Sequence, residues 1–166
     1  MNHLKALRRK LQKKMSKFIA EHEFKSADEV MLSREELNQI ITVMIDGRLM
    51  LPMFQFDESG QVYSILQEHL PRLLGSDRGG WDICFWLFAE QSVTLKRAVP
   101  NAARLRDISV EEMLELGKKS AELTERYIGR PIDAVIDEQS DVFAACVEHL
   151  LNPDYRVIPV TNTTEH

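Results

Sequence analysis

The sequence predicts a mainly α fold: a helical domain of five or six helices with one small β-hairpin near residues 48–63. The main observation is that apolar residues recur at steps of three and four, which places them on one face of a helix. A second observation is the Ser-x-x-Glu spacing of a helix capping box, which begins at Ser26, Ser33 and Ser109. The 166 residues, 44% of them hydrophobic, suffice for one domain with a buried core.

The first predicted helix is basic and amphipathic, and it lies within residues 1–25. Its apolar residues share one face: Leu4, Leu7, Leu11, Met15 and Phe18. The remaining positions include seven cations with no acidic residue among them: Lys5, Arg8, Arg9, Lys10, Lys13, Lys14 and Lys17. These cations are candidate nucleic-acid ligands, although an anionic lipid surface or the protein's own acidic remainder would also attract them. The apolar face needs a cover, and a homodimer is one way to provide it.

Charge is distributed unevenly along the chain. Residues 1–25 contain eight Lys or Arg against two Glu, whereas the rest of the chain contains 13 Lys or Arg against 24 Asp or Glu. The formal net charge of −5 therefore combines a basic first segment with an acidic remainder.

A helix and a hairpin are predicted next. From Arg34 the apolar spacing predicts a helix that ends near Asp46, with Gly47 in the left-handed conformation common after a helix. Residues 48–56 then change to an extended pattern and residues 57–60 form a turn, which predicts a short hairpin. Pro52 has no N–H to donate, so we expect its strand to lie at a sheet edge or to be interrupted there.

Four more helices are predicted in the rest of the chain. One runs from Ile65 to Leu74, and a second, at residues 81–88, is apolar on nearly every side, so a buried strand is its competing interpretation. Residues 91–107 are less regular. A helix then begins at the Ser109 capping box and continues to about Ile128, and the last helix covers about residues 132–152. The predicted organisation is a basic helix (residues 1–25), a single helical domain (26–152) and a C-terminal tail (153–166).

No residue pattern predicts catalysis, so no catalytic, cofactor-binding or metal-binding residue is assigned and the chain is not expected to be an enzyme. His149 lies three residues after Cys146, which is more typical of a buried thiol near an exposed histidine than of a metal site. Five glutamates lie in the first turns of predicted helices, where the helix dipole explains them better than acid–base chemistry: Glu35, Glu36, Glu111, Glu112 and Glu115. Four aromatic residues fit a core better than a ligand pocket: Trp81, Phe85, Trp86 and Phe88.

The expected location is the cytoplasm. Cys84 and Cys146 lie in apolar stretches, as reduced thiols commonly do. The longest apolar runs are far shorter than the roughly 20 residues of a membrane-spanning helix. The first residues also lack the unbroken apolar region of a secretory signal, so no membrane partner is expected.

One stretch resembles the toxin-binding domain of Xre/MbcA/ParS-type bacterial antitoxins. The resemblance rests on the segment Pro-Met-Phe-Gln-Phe-Asp at residues 52–57, its turn to Gly60 and Val62, a leucine-rich helix, and the pair Trp86 and Leu87. It covers about residues 33–123. The residues that carry the motif and its core are Pro52, Phe54, Gln55, Phe56, Trp86 and Leu87.

The resemblance implies a mostly helical dimer that binds and silences a partner toxin, often of the RES class that attacks NAD. Some relatives also bind their own operator, but the helix predicted from Arg34 to Gly47 leaves no room for a DNA-recognition helix. The leading prediction is therefore an antitoxin-like protein-binding module that neutralises a toxin. The alternative is a nucleic-acid-associated regulator that uses the basic N-terminal helix.

Overall fold

The protein combines helices with two small sheets, and the computed structural model describes residues 2–97, 109–112, 114–115, 124–152 and 158–160. The mainly α prediction is thus confirmed only in part, because the fold is mixed. The chain divides into two compact units, residues 1–86 and 87–166. This division differs from the predicted segments 1–25, 26–152 and 153–166, whose independence as domains stays a prediction.

The first unit opens with helix α1 (Asn2–Glu21), as predicted. Short elements follow it: strand β1 (Phe24–Ser26), helix α2 (Ala27–Val30) and helix α3 (Arg34–Leu37). The two serine caps predicted in this unit form, since Ser26 Oγ accepts from the Glu29 N–H and Ser33 exchanges two hydrogen bonds with Glu36. Local sequence therefore determines where these short helices begin.

The predicted helix from Arg34 to Asp46 is wrong beyond Leu37. Strand β2 (Val43–Ile45) pairs with strand β3 (Arg48–Pro52) across a two-residue turn. Both turn residues, Asp46 and Gly47, have positive φ (49° and 76°), as the favoured Asp-Gly hairpin turn requires. The β-branched residues before this turn fit a strand at least as well as a helix, and the turn decides between them.

The predicted hairpin at residues 48–63 forms only in part, because its turn at residues 57–60 is present but strand β3 pairs with β1 and β2. Strand β3 lies at the centre of an antiparallel sheet of order β1-β3-β2, and a single bridge joins Phe56 to Val62. Pro52 is the last residue of β3, where the missing N–H is tolerated, so the expected interruption is confirmed and the edge position is not.

Two predicted helices follow: α4 (Ser64–Leu74), in the first unit, and α5 (Gly80–Phe88), whose last two residues belong to the second unit. In α4, Leu66, Leu70 and Leu73 form the buried face. The helical interpretation of residues 81–88 is confirmed. A Cβ at Gly80 would overlap the backbone carbonyl of Thr42, so the first turn of α5 needs a residue without a side chain.

The second unit contains a sheet that the sequence did not predict. Strand β4 (Gln91–Arg97) pairs antiparallel with strand β5 (Thr124–Gly129) and parallel with strand β6 (Ile158–Val160). Burial alternates over residues 92–95, with Val93 and Leu95 inward, which is the period-2 pattern of a strand. The helix predicted from Ser109 cannot reach Ile128, which lies in β5, and β6 lies within the predicted tail.

The predicted last helix is divided in two. Helix α6 (Pro131–Ile136) begins with proline at its first position, and helix α7 (Ser140–Leu151) follows a break at Glu138, whose φ is 56°. Arg130 donates two hydrogen bonds to the Asp133 carboxylate at 2.9 and 2.8 Å across the first turn of α6. Helix α7 packs on β4, and Phe143 and Val147 are among its buried residues.

Some predicted features lie outside the described residues. They include residues 98–107 of the irregular stretch, residues 116–123 of the helix predicted from Ser109, and most of the predicted tail. Among the described residues, every helix is too short or too polar to cross a lipid bilayer.

Candidate functional site

The motif at residues 52–57 folds around a buried amide. Gln55 lies in a single 3-10 turn (Met53–Gln55) and its side chain is 0% exposed. Its Oε1 accepts from the Ile41 N–H at 2.9 Å, and its Nε2 donates to the carbonyl oxygens of Ile41 (2.9 Å) and Pro52 (3.0 Å). The amide therefore supplies hydrogen bonds to a loop that has no strand partner at Ile41.

The aspartate that ends the motif closes a tight turn. Asp57 Oδ1 accepts hydrogen bonds from the Ser59 hydroxyl at 2.6 Å, the Ser59 N–H at 2.8 Å and the Gln61 N–H at 3.1 Å. The Ser59 hydroxyl, followed by the Gln61 N–H, lowers the pKa of Asp57 below its ordinary value. Gly60 has φ of +84°, a conformation that other residues rarely adopt. The turn thereby brings Val62 back beside Phe56.

A groove of about 960 Å³ lies beside this turn, and the motif supplies one wall of it through Phe56. We call it the motif groove. Its apolar lining combines buried Ile40 with half-buried side chains at Leu32, Phe56, Val62 and Leu74. Exposed polar side chains occupy other parts of the lining: Glu36, Asn38, Gln39, Gln61 and Gln67. The groove can therefore bury apolar groups and also offer hydrogen bonds to a bound molecule.

One carboxylate lines the motif groove. Glu36 Oε2 accepts from the Ser33 N–H at 2.7 Å, and this bond, with the one from the Ser33 hydroxyl, lowers the pKa of Glu36. The same side chain remains exposed, so it adds a negative charge to the surface. A cation on a bound molecule would be attracted to this part of the groove.

An aromatic cluster fixes one end of α1 to the first unit. The Phe18 ring contacts the rings of Phe24, Phe54, Trp81 and Phe85, with centroids 5.7–6.1 Å apart. Trp81 and Phe85 also stack at 5.6 Å. These edge-to-face contacts favour the core interpretation of the aromatic residues over a ligand pocket.

The remaining motif residues occupy different environments. Trp86 and Leu87 are buried, as are Leu66 and Leu70 of α4. Phe54, Phe56 and Phe85 were predicted in the core but are half-buried. The difference for Phe56 arises because it lines the motif groove, which the sequence alone did not predict.

The seven candidate nucleic-acid ligands all lie on the exposed surface of α1. Lys14 Nζ stands 4.3 Å from the centroid of the Phe85 ring, and Lys17 pairs with Glu21 at 3.9 Å. The cations surround the helix rather than forming one basic face, because successive residues are separated by about 100°. Leucines occupy the gap between them.

Beyond these surfaces, Cys84, Cys146 and His149 do not form a reactive group among the described residues. Burial raises the pKa of Cys84 and of Cys146 to about 12, which makes either thiol a poor nucleophile. His149 is exposed while Cys146 is buried. Within the described ranges, no three His, Cys, Asp or Glu side chains are placed to hold a metal ion.

Comparison with known proteins gave three results. No protein-family model matches the chain. No curated protein matches it. No solved structure matches its fold. The interpretation of the site therefore depends on its own residues and on the motif at residues 52–57.

Proposed function

We propose that this protein is an antitoxin-like binding module that holds a partner toxin in the motif groove. The observation that carries the proposal is that Phe56 of the antitoxin-like motif lines an open groove of about 960 Å³. Phe56 is half-buried at the edge of this groove, so its ring is accessible to a side chain of a bound protein. Half-buried aromatic residues are typical anchors of protein interfaces.

The residues that line the motif groove suggest which groups the toxin places in it. Leu32, Val62 and Leu74 are half-buried beside Phe56, so a large apolar side chain of the toxin would remove further apolar surface from water. Exposed amides at the same groove would pair with its backbone. The Glu36 carboxylate favours a neighbouring Lys or Arg.

In this proposal the protein silences the toxin by binding to it. The resemblance implies a partner toxin that is often of the RES class, which attacks NAD, and binding to such a toxin would prevent NAD loss. In this proposal the antitoxin supplies no catalytic group. It acts by covering the toxin's surface, and its effect should follow the amount of complex formed.

The test uses the full chain co-expressed with the protein encoded by the neighbouring reading frame. The complex should co-purify, and cellular NAD should be restored. Gln39→Arg with Gln67→Arg adds two bulky cations to exposed groove positions and should weaken binding about tenfold or more. Gln12→Arg, on exposed α1, is the matched control and should bind as the natural sequence does.

Two outcomes would contradict the proposal. One is a neighbouring protein that neither lowers NAD nor binds. The other is a groove variant that binds as tightly as the control. Removal of residues 1–25 is unsuitable as a test, because it would also remove Phe18 from the aromatic cluster and most of β1.

A further inference from the structure

The apolar stripe of α1 is covered at one end only. Phe18 is 6% exposed and Met15 is half-buried, whereas Leu4, Leu7 and Leu11 are 67%, 48% and 49% exposed. All five residues belong to the same face, so the uncovered leucines continue the stripe that anchors the helix through Phe18. Three exposed leucines on one helix face mark an interaction surface rather than a random surface feature.

The charges around this stripe have one sign. Arg8 and Lys14 lie on its two sides, and Lys10 lies next to Lys14 around the helix. Among the described residues, neither Arg8 nor Lys10 has an ion-pair partner. The first acidic residue of the helix is Glu21, at its last position. The leucines are thus bordered by cations that are available to an outside anion.

We propose that α1 docks this protein onto an anionic lipid bilayer. The helix lies along the surface, with Leu4, Leu7 and Leu11 inserted among the upper acyl chains and the flanking cations at the lipid phosphates. Long Lys and Arg side chains reach the headgroups while their stems cover apolar surface. A polar, cation-rich helix with a narrow apolar face is the chemistry of an interfacial helix.

Charge complementarity favours this partner over two others. Nucleic acid phosphates would attract the cations but leave the leucines exposed to water. A second copy of α1 would cover the leucines but bring seven cations against seven. Three leucines also bury too little area for a stable dimer. The apolar runs are too short for a helix that crosses a bilayer, but a helix that binds along the bilayer surface does not need such a run.

The test mixes the full chain with vesicles of phosphatidylcholine containing one-third phosphatidylglycerol, and measures the fraction that sediments. Binding should be strong with these vesicles, weak with pure phosphatidylcholine, and reduced by salt. Replacement of Leu4, Leu7 and Leu11 together by Gln should weaken partitioning of the protein onto the vesicles about a hundredfold. The matched control places Gln at Met31, Met44 and Val110, which are 53–89% exposed, and should sediment normally.

Three results would overturn the proposal. The leucine variant and its control sediment equally. The chain ignores the anionic vesicles but shifts a 30-base-pair DNA duplex, with the leucine variant shifting it as well. Light scattering shows a dimer that the leucine variant dissociates, without any vesicle binding. Because these assays contain no toxin, they are independent of the motif groove and of the proposed function.

Discussion

Replacement of Gln55 by methionine should strongly destabilise the first unit. The two side chains are similar in size, so the change removes hydrogen bonds without creating a large cavity. It leaves the N–H and carbonyl of Ile41 without the Gln55 amide, and the Pro52 carbonyl loses one donor. Each buried group that loses its partner costs about 1–3 kcal/mol, and the added apolar surface returns part of this. We expect a net loss of about 2–5 kcal/mol in the free energy of unfolding.

Urea unfolding followed by tryptophan fluorescence measures this loss, since Trp81 and Trp86 both belong to the first unit. The control is Gln67→Met, the same substitution at an exposed position of α4, which should change stability by less than about 0.5 kcal/mol. Gln55→Glu separates hydrogen bonding from packing, because a carboxylate opposite two carbonyl oxygens cannot donate. Equal stability of Gln55→Met and Gln67→Met would refute the assignment of Gln55 as the amide that holds the loop.

Three further predictions follow from single residues. Gly80→Ala should cost about 2 kcal/mol or more in unfolding free energy by urea titration, because its Cβ meets the Thr42 carbonyl, whereas Gly79→Ala should be nearly neutral since nothing lies within 4 Å. Asp57→Ala should destabilise at pH 7. Because folding lowers the Asp57 pKa from 3.8, that difference should shrink as pH falls through the lowered pKa, and a constant difference in acid melts would contradict it. Cys84, with its pKa raised to about 12, should resist iodoacetamide at pH 8 until urea unfolds the chain, as mass spectrometry would show.

Sequence patterns correctly predicted the helices whose structure depends on residues that are close together in the chain. Helix α1 has a continuous apolar stripe, and α4 has one that ends at Gly75. The cap at Ser33 also formed, because its partner Glu36 is three residues away. In each case the interactions that decide the structure lie within one or two turns, so the pattern alone sufficed.

The sequence predictions were wrong where contacts between residues far apart in the chain determine the structure. Residues 38–45 have apolar spacing that fits a helix, but the Asp46–Gly47 turn and the amide of Gln55 stabilise a loop and a strand instead. Gln55 contacts Ile41 across 14 positions, which no local pattern reveals. The Asp-Gly pair was nevertheless a readable hairpin signal. The motif groove could not be predicted, since its lining comes from separate segments between Leu32 and Gly75.

The motif at residues 52–57 combines two roles in adjacent residues, and they can be separated. Gln55 points into the protein and holds the Ile41 loop, whereas Phe56 lines the motif groove. A typical domain stability of about 10 kcal/mol exceeds the expected loss of about 2–5 kcal/mol, so the Gln55→Met variant stays mostly folded. Gln55→Met should therefore lower the urea midpoint strongly, and it should lower toxin affinity in buffer much less than loss of the Phe56 ring does, although the loop it holds adjoins groove residue Ile40. Phe56→Leu should do the reverse, because it removes ring surface from the groove. Parallel losses of stability and affinity in both variants would mean that the motif serves folding alone.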